Sequence, residues 1–474
     1  MKKHILYSLI PICCFGVFYG YIYNHFWPLI ILSFAIYFYI LSNSVNEKKT
    51  MYFRAFVFGC LLYGLIYYWV MFPILHFSNS LIITIIAFII FLMIFGQIPL
   101  LATVIAYNTG KKETLLLRLI LLWVLIEWLQ TSHSIFFPWA IIGYGMTLSP
   151  IASFAPYGGV FLVSGLTLLT SLLLCNIFLN KKTIKNINLI LLIMAAGFIL
   201  NKIPKWTIKH SNIKIKWLNS LESENKWRRK NIDLLLKKST TKFKNDLIIW
   251  PEGELAWVFD KNQLQKEKII NWVKKFKTPI LTGTFNLHKN NLYNSALLIS
   301  PKSLQWVYKQ QLVPFGEYTP FANLFMPLLE KLNIPMSNLQ PSYNDHSINL
   351  KKNNLIVLIC YEIAFPRLVW SNSKHNQAII AITDDHWFNS SIAIQEHLNM
   401  LKMRVLETQK EAAFINHNGQ NQIIHLKADT SYYANKLFLR TGSTPITKYS
   451  ELPIIILILV LLTTLFLKEQ NTRS

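Results

Sequence analysis

Apolar residues in the first 200 positions form long, nearly uninterrupted blocks rather than the spaced pattern of a water-soluble helix or strand. Each block holds about 17 to 27 residues, enough to cross a hydrocarbon core of about 30 Å as an α-helix. One more apolar block follows a long polar segment. Together they predict eight membrane spans, near 5–22, 25–42, 52–72, 81–107, 114–131, 155–179, 187–203 and 453–467.

The polar segment 204–450 has a different pattern, in which short apolar runs alternate with amphipathic stretches. This alternation predicts an α/β layered domain. Strands are predicted at 213–218, 246–250, 279–283, 295–299, 355–359 and 378–382, and helices at 226–238, 261–275 and 394–409. The Lys/Asn-rich stretches near 286–291 and 341–354 are predicted to be solvated loops. The chain therefore divides into a seven-helix membrane platform (1–203), an α/β domain (204–450) and a final span with a tail (451–474).

Composition supports a membrane protein over a nucleic-acid-binding one. Hydrophobic residues make up 53% of the chain, and the formal net charge is +24. A basic excess of this size is typical of proteins that meet nucleic acid or an anionic membrane surface. Since the sequence contains no nucleic-acid-binding module and its spans lie beside anionic headgroups, we expect a membrane-embedded protein with no nucleic-acid partner.

The distribution of Lys and Arg between the spans predicts the orientation. Basic residues flank alternate ends of the spans, at Lys2, Lys3, Lys48, Lys49, Arg54, Lys111, Lys112, Arg118, Lys181, Lys182, Lys185, Lys468 and Arg473. The loops near 23–25, 72–80 and 132–138 have none. Because cytoplasmic loops carry the basic excess, both termini are predicted to be cytoplasmic and 204–450 extracytoplasmic. In a bacterium with two membranes, this means a multi-pass inner-membrane protein whose catalytic domain is periplasmic.

The membrane spans themselves contain little ionisable chemistry. Glu127 is the one ionisable residue well inside a predicted span, while Arg54 and Arg118 lie near span ends. Coupled transporters need more intramembrane polar groups than this. We therefore interpret the spans as a platform rather than a transport path.

Cysteine usage draws attention to one position. Of five cysteines, four lie in apolar blocks, at Cys13, Cys14, Cys60 and Cys175. Cys360 is the only cysteine of the segment 204–450, so that segment cannot form an internal disulfide. A solitary cysteine there is either a reactive thiol or an inert buried side chain, and the count alone does not decide between them.

Three predicted strand or loop ends carry reactive residue types. Glu252 follows the apolar run 247–250, Lys309 begins a Pro/Gly-containing loop that reaches Glu317, and Cys360 ends the apolar run 355–359. Taken singly, each has an ordinary structural explanation: a surface carboxylate, a salt-bridged loop or a packed thiol. Taken together, Cys, Lys and Glu are what a thiol-based acyl-transfer site requires.

These segments also resemble a known family. Trp-Pro-Glu at 250–252, Lys-x-x-Leu-Val-Pro-Phe-Gly-Glu-Tyr at 309–318 and Cys-Tyr-Glu at 360–362 are similar to motifs of the apolipoprotein N-acyltransferases. These enzymes are membrane members of the nitrilase (carbon–nitrogen hydrolase) superfamily. Similar segments extend over most of the chain, at 137–139, 143–144, 155–160, 282–283, 293–296, 385–388 and 403–407.

The resemblance implies a nitrilase-type αββα domain and a role for each matching residue. Glu252 would be the general base, Lys309 the cation that stabilises the oxyanion, and Cys360 the nucleophile. The residues that support them would be Glu317, Tyr361 and Glu362. A free thiol has a pKa near 8.5, so the nucleophile needs such a base and cation at neutral pH.

The resemblance also implies the reaction and its partners. The acyl donor would be a membrane phospholipid, Cys360 would carry the acyl group as a thioester, and the acceptor would be the N-terminal amine of a diacylglyceryl-cysteine lipoprotein. Because a thioester is converted to an amide downhill, no cofactor or metal is expected. We expect a monomer.

Several positions depart from the family pattern. The segment 218–220, Asp384, Asn389 and the segment 408–411 replace residues that the family usually has there. None belongs to the Glu–Lys–Cys triad, so these departures bear on acceptor choice or on a specialised paralogue. The alternatives are a membrane-tethered amidase or hydrolase, in which water resolves the thioester, and a lipid-binding pseudoenzyme.

Overall fold

The structure, a computed structural model, describes residues 2–202, 206–219, 232–240, 245–332, 334, 337–343, 345–417, 419–426 and 435–470. The chain divides into two compact units. The helical unit holds Met1–Pro204, Ser391–Asn399 and Tyr449–Ser474, and the sheet unit holds Lys205–Ser390 and Met400–Lys448.

An α-helix lies over every apolar block of the N-terminal region. The helices are α1 (Lys2–Ile22), α2 (Trp27–Ser42), α3 (Lys48–Tyr67), α4 (Met71–Ser78), α5 (Leu81–Phe95), α6 (Gln97–Asn108), α7 (Leu115–Gln130), α8 (Ala155–Phe178) and α9 (Thr183–Lys202). Within the described residues, five helical stretches are long and apolar enough to cross a membrane: Asn24–Ser42, Lys48–Ser78, Leu81–Asn108, Pro150–Phe178 and Thr183–Lys202. Shorter apolar helices cover Leu6–Ile22 and Leu452–Leu465. The chain therefore has several membrane-type helices, and the count of eight spans stays a prediction.

The block predicted as one span at 81–107 is interrupted where it meets α3. Helix α5 ends at Phe95 and α6 begins at Gln97, with Gly96 between them. A Cβ placed on Gly59 of α3 would lie 2.6 Å from the carbonyl oxygen of Gly96. The two backbones touch at these glycines because neither residue has a side chain there.

Two buried ionisable groups of the helical unit, Arg118 and Glu127, are bound by backbone groups. The Arg118 guanidinium donates to the carbonyls of Ala106 (2.9 Å) and Lys111 (2.8 Å). Glu127 accepts from the backbone N–H of Ile142 (2.9 Å). Such contacts satisfy backbone groups at helix ends and in loops, as a structural platform requires.

The sheet unit contains two β-sheets. Its strands are β1 (Thr207–Trp217), β2 (Leu247–Ile249), β3 (Leu255–Val258), β4 (Ile280–His288), β5 (Asn291–Ile299), β6 (Leu304–Tyr308), β7 (Ser347–Leu350), β8 (Asn353–Ile359), β9 (Ile379–Thr383), β10 (Ala412–Asn416), β11 (Gln422–Ile424) and β12 (Lys436–Gly442). The first sheet has the order β12-β1-β2-β4-β5-β6, with β3 also paired to β4. The second has the order β11-β10-β9-β8-β7.

The core lies between the two sheets. Alternate residues of each strand point into it, as the period of two dictates. Leu247 and Ile249 from the first sheet share one buried cluster with Val357 and Ile359 from the second. The opposite face of the first sheet, including Ile248, packs in a separate cluster against two helices. Strands β2 and β8, which lead to Glu252 and Cys360, are therefore buried on both faces, which explains their apolar runs.

The remaining helices are α10 (Ile232–Ser239), α11 (Gln263–Phe276), α12 (Ala322–Lys331), α13 (Pro366–Ser373), α14 (Ser391–Thr408) and α15 (Pro445–Tyr449), and α16 (Leu452–Gln470) follows. Helices α10 and α11 pack on the first sheet. Helix α13 contacts β8, and its Trp370 indole donates to Glu407 of α14 (2.8 Å). The layers are helix, sheet, sheet, helix.

The secondary structure differs from the sequence-based expectation in one region that matters for the site. The stretch 341–354, predicted to be a solvated loop, contains β7, and His346 just before it is fully buried. Strand β6, which delivers Lys309, was also not predicted. Its sequence Leu-Gln-Trp-Val-Tyr mixes polar and aromatic residues, because β6 is an edge strand that is only partly buried. Residues 226–231 of the predicted helix 226–238 and Ser220 lie outside the described residues.

Gly283 of β4 is predicted to tolerate no side chain. A Cβ there would lie 2.6 Å from Cα of Glu252 and 2.7 Å from the backbone nitrogen of Gly253. We expect Gly283→Ala to destabilise the sheet unit by about 1–3 kcal/mol and to displace Glu252. Thermal unfolding of the detergent-solubilised protein measures the first effect. The control is Gly165→Ala, where the nearest atom to an added Cβ is Val124 Cγ2 at 3.6 Å. Equal melting temperatures for the two variants would contradict the prediction.

Candidate active site

Glu252 lies just beyond the carboxyl end of β2. Trp250 and Pro251, which precede it, are fixed by the neighbouring strand β4. Trp250 N–H donates to Leu281 O (2.8 Å), and Gly283 N–H donates to Pro251 O (3.2 Å). The Glu252 carboxylate is buried and accepts from the Asn294 side chain (2.9 Å) and from the backbone N–H of Asp384 (3.0 Å). Its orientation is therefore set by two donors from other strands and loops.

Lys309 follows β6 directly and reaches the same end of the first sheet. Strand β5 is antiparallel to β4, and β6 is antiparallel to β5, so β6 runs in the direction of β4 and of its parallel neighbour β2. The Lys309 side chain is only 1% exposed. Its Nζ lies 2.9 Å from Oε1 of Glu317 and 3.4 Å from Oε1 of Glu252. The predicted salt-bridged loop thus exists, but its lysine is buried rather than on the surface.

Glu317 is held by the tight turn that follows Lys309. Its Oε2 accepts from the backbone N–H of Val313 (2.8 Å), and its Oε1 accepts from the Asn294 side chain (2.7 Å). Phe315, inside this turn, has a left-handed φ of 61°. Glu317 therefore closes its own loop while it pairs with Lys309.

Cys360 lies where β8 turns into the short 3₁₀ helix Cys360–Ala364. Its φ is +50°, a left-handed value that is unusual for a residue with a side chain. Sharp strand-to-helix turns of this kind present a nucleophile at the edge of a sheet. The thiol side chain is 8% exposed, and Tyr361 and Glu362 behind it are buried. Glu362 fixes the turn by accepting from the backbone N–H of Ile359 (2.9 Å).

Two carboxylates share the single cation of this cluster. Burial opposes the charge of Lys309, but Glu252 and Glu317 outweigh burial and raise its pKa, so the side chain is an ammonium. Burial raises the pKa of Glu252, and the positive charge of Lys309 only partly offsets this because the negative charges of Glu317 and Asp384 raise that pKa as well. Glu252 is therefore a carboxylate poised to accept a proton. Among the described residues, no group of three or more His, Cys, Asp or Glu side chains is arranged to hold a metal ion.

The thiol of Cys360 rests in its protonated form. Burial raises its pKa, the negative charge of Glu252 raises it further, and the positive charge of Lys309 acts in the opposite direction without reversing the shift. Lys309 thus favours the thiolate only in part. Such a thiol becomes nucleophilic when a neighbouring base removes its proton as it attacks.

The structure brings together five of the six predicted site residues by contact or by charge. Glu252, Lys309 and Glu317 form the ion-pair cluster, Cys360 is under its electrostatic influence, and Glu362 fixes the Cys360 turn. Tyr361 is buried and packs edge-on against Phe365, with ring centroids 5.1 Å apart.

Asn294 is a site residue that the sequence did not identify. Its side-chain nitrogen donates to both Glu252 and Glu317, and its carbonyl accepts from the backbone N–H of Lys309 (2.9 Å). It lies within the segment Tyr-Asn-Ser-Ala, which had been noted as a family feature. Its place in that segment, directly before the predicted strand 295–299, was the signal that could have pointed to it.

Two departures from the family pattern fit the local backbone. Asp384 contacts Glu252 through its backbone N–H, while its side chain accepts from the backbone N–H of His386 (3.3 Å). Asn389 has a left-handed φ of 44°. Because asparagine adopts this conformation more readily than most residues, it suits this position.

Two family models match separate parts of the chain. Residues 15–173 match the apolipoprotein N-acyltransferase N-terminal domain, and residues 212–436 match the carbon-nitrogen hydrolase family. The chain is 30% identical over 359 residues to the apolipoprotein N-acyltransferase of Wigglesworthia glossinidia brevipalpis, covering 70% of this chain and 71% of the relative. It is 27% identical over 483 residues to that of Coxiella burnetii, covering 94% and 96%. Among solved structures, an amidase from Nesterenkonia sp. overlaps 53% of this chain and 97% of its own, with 10% identity and a TM-score of 0.32.

Replacing Asn294 by Asp is predicted to move the reactivity of Cys360 to higher pH. The change removes the donor to Glu252 and adds a negative charge, and both effects raise the pKa of Glu252. Because Glu252 must be deprotonated to act as a base, alkylation of Cys360 by iodoacetamide would then rise with pH later than in the wild type. Peptide mass spectrometry measures the alkylation rate. Asn294→Ala, which removes the donor without adding charge, is expected to move the pH dependence of alkylation by a smaller amount. A pH dependence that moves to lower pH in Asn294→Asp would refute the prediction.

Proposed function

Because this chain belongs to the apolipoprotein N-acyltransferase family, we propose that it transfers a fatty acyl group from a membrane phospholipid to the N-terminal amine of diacylglyceryl-cysteine lipoproteins. The observation that carries the proposal is the buried cluster in which Lys309 pairs with Glu252 and Glu317 and acts on the Cys360 thiol. A thiol, a base and a fixed cation are sufficient for acyl transfer through a thioester.

In the first half-reaction, Cys360 takes the acyl group. Its Sγ attacks the ester carbonyl of the phospholipid while Glu252 accepts the thiol proton. Lys309 stabilises the oxyanion of the tetrahedral intermediate, with the backbone N–H of Tyr361 as a second donor; one such donor is worth about 3 kcal/mol. When the intermediate collapses, the C–O bond breaks, Glu252 returns the proton to the leaving oxygen, and lysophospholipid is released.

In the second half-reaction, the acceptor amine takes the acyl group from sulfur. The neutral amine attacks the thioester carbonyl, and Glu252 accepts its proton. The C–S bond then breaks, Cys360 leaves as a thiolate and is reprotonated by Glu252. The net change is one amide formed and one thioester consumed, so the residues on hand balance the reaction.

The membrane placement of the reaction follows from its substrates. Both donor and acceptor are lipids, and the several apolar helices of the helical unit suit a protein that meets them in the bilayer. In the proposed topology, eight spans form the platform 1–203 and the final segment 451–474, both termini are cytoplasmic, and the catalytic domain 204–450 lies in the periplasm of a bacterial inner-membrane protein. The basic residues confined to alternate loops support this orientation.

An acyl adduct on Cys360 is the expected signature of this route. Detergent-purified wild type incubated with phospholipid should gain the mass of one acyl chain by intact-protein mass spectrometry, since the first half-reaction can proceed without an acceptor. A diacylated lipopeptide should discharge the adduct and become N-acylated. Cys360→Ala is the control and should gain no mass.

Other outcomes of the same experiment separate the alternatives. An adduct that water discharges and the lipopeptide does not would indicate the membrane-tethered hydrolase. A folded wild type that forms neither adduct nor lysophospholipid, with several donor lipids tried, would exclude acyl transfer and leave the lipid-binding pseudoenzyme.

The proposed orientation predicts opposite behaviour for two reporter fusions. Alkaline phosphatase inserted between Lys289 and Asn290, in the turn that joins β4 to β5, should be active, because that enzyme folds only outside the cytoplasm. Green fluorescent protein fused after Ser474 should fluoresce in the cytoplasm. Whole-cell phosphatase activity and fluorescence measure the two, and an inactive phosphatase on a stably expressed fusion would refute the orientation.

A further inference from the structure

Glu362 ties together the two backbone segments that carry the reacting groups. Its carboxylate is fully buried and accepts from the backbone N–H of Ile359 (2.9 Å), at the end of the strand that delivers Cys360. It also accepts from the backbone N–H groups of Gln310 (2.7 Å) and Gln311 (3.4 Å), immediately after Lys309. One side chain thus links the segment that follows edge strand β6 of the first sheet to the interior strand β8 of the second.

His346 is the side-chain partner of this carboxylate. The imidazole is fully buried, and its Nε2 lies 2.9 Å from Oε1 of Glu362. Its Nδ1 lies 3.2 Å from the side-chain Nε2 of Gln310. The ring therefore spans the gap between Glu362 and the residue that follows Lys309, and it donates to Glu362 whether it is neutral or protonated.

The backbone of His346 is itself anchored on the nucleophile strand. Its carbonyl accepts from Val357 N–H of β8 (2.8 Å), and its N–H donates to the Asn372 side chain of α13 (3.3 Å). An imidazole fixed at its backbone and at both ring nitrogens has one orientation. It can therefore hold a carboxylate in place rather than merely follow it.

The need for such a partner follows from burial. Burial alone would raise the pKa of Glu362, but His346 and the backbone donors outweigh it and hold that pKa below its usual value. Without His346, Glu362 would lose its only side-chain hydrogen-bond partner among the described contacts. A buried carboxylate left in that condition tends to move or to take up a proton, and either change loosens the tie.

We propose that His346 is a positioning residue for acyl transfer: through Glu362 it fixes the Cys360 turn and the segment after Lys309 at their mutual distance. This inference rests on the proposed function. His346 has no part in the proton transfers, so its contribution is geometric. Misplacement by about 1 Å can lower a rate by about 100-fold, which sets the scale of the effect.

The test compares His346→Leu with a matched control at a second buried His–Glu pair. His425 Nδ1 lies 2.8 Å from Oε2 of Glu411, which also accepts from Phe438 N–H (3.2 Å). Glu411 immediately precedes β10, which is parallel to β9 and β8, so this pair lies at the end of the second sheet opposite to Cys360. His425→Leu thus removes a similar interaction from the same unit without touching the site.

The expected result is a rate effect confined to His346. Acyl-adduct formation on Cys360, followed by intact-protein mass spectrometry at several phospholipid concentrations, should be about 10- to 100-fold slower at saturation in His346→Leu. The half-saturating donor concentration should stay unchanged, since His346 does not meet the lipid. Melting temperatures should fall similarly in His346→Leu and His425→Leu, while the latter keeps the wild-type rate.

Conservative variants keep the test decisive if His346→Leu does not fold. The amide nitrogen of Gln in His346→Gln can take the position of Nε2 and donate to Glu362, whereas the shorter Asn in His346→Asn reaches only as far as Nδ1. We expect Gln to restore most of the rate and Asn not to. Acylation in His346→Leu as fast as in the His425→Leu control, or equal wild-type rates in the Gln and Asn variants, would overturn this inference alone. A wild type that forms no adduct would overturn the proposed function with it.

Discussion

A lysine ammonium buried away from water must be matched by negative charge, and the candidate site is arranged around that requirement. Lys309 is 1% exposed and lies between Glu317 at 2.9 Å and Glu252 at 3.4 Å. An unpaired ion in such a place would lose its charge instead of remaining there. Two carboxylates carry more negative charge than one ammonium balances, so one of them remains available as a base. The unequal distances decide which: Glu317 is committed to Lys309 and to its own turn, while Glu252 is held more loosely by the cation.

This surplus of negative charge also determines the resting state of the nucleophile. Carboxylates near Cys360 and its burial raise the pKa of the thiol, and Lys309 does not reverse that shift. The site therefore differs from one that stores a thiolate beside a cation. A neutral resting thiol becomes nucleophilic as Glu252 takes its proton, so its reactivity depends on the protonation state of Glu252. In the proposed mechanism the same Lys309 charge is then available for the oxyanion, where negative charge develops during the reaction.

The sequence predicts the parts of this site that depend on local chain properties. Glu252 and Cys360 each end a run of apolar residues, because β2 and β8 are buried on both faces, and such runs are visible without a structure. Lys309 was identified by motif and not by its strand, since β6 is a partly buried edge strand with a mixed sequence. Asn294 and His346 act through partners distant in the chain. His346 lies in a polar stretch that was predicted to be solvated. Its burial results from the pairing of β7 with β8, which its neighbours in sequence do not reveal.

The three carboxylates of the site have different partners and therefore different uses. Glu252 and Glu317 face Lys309, whereas Glu362 faces His346. Glu252 and Glu317 compete for one cation, so a proton can be accommodated on Glu252 without leaving Lys309 unpaired. In the described part of the chain, Glu362 is not paired with a lysine. Three backbone N–H groups and an imidazole stabilise its negative charge and lower its pKa. A carboxylate stabilised in this way is a poor base but a firm anchor, because each of its donors belongs to a segment that must not move. The proposed mechanism thereby assigns proton transfer and rigidity to separate residues, so that Glu252 can change its charge while the distance between Lys309 and Cys360 stays fixed.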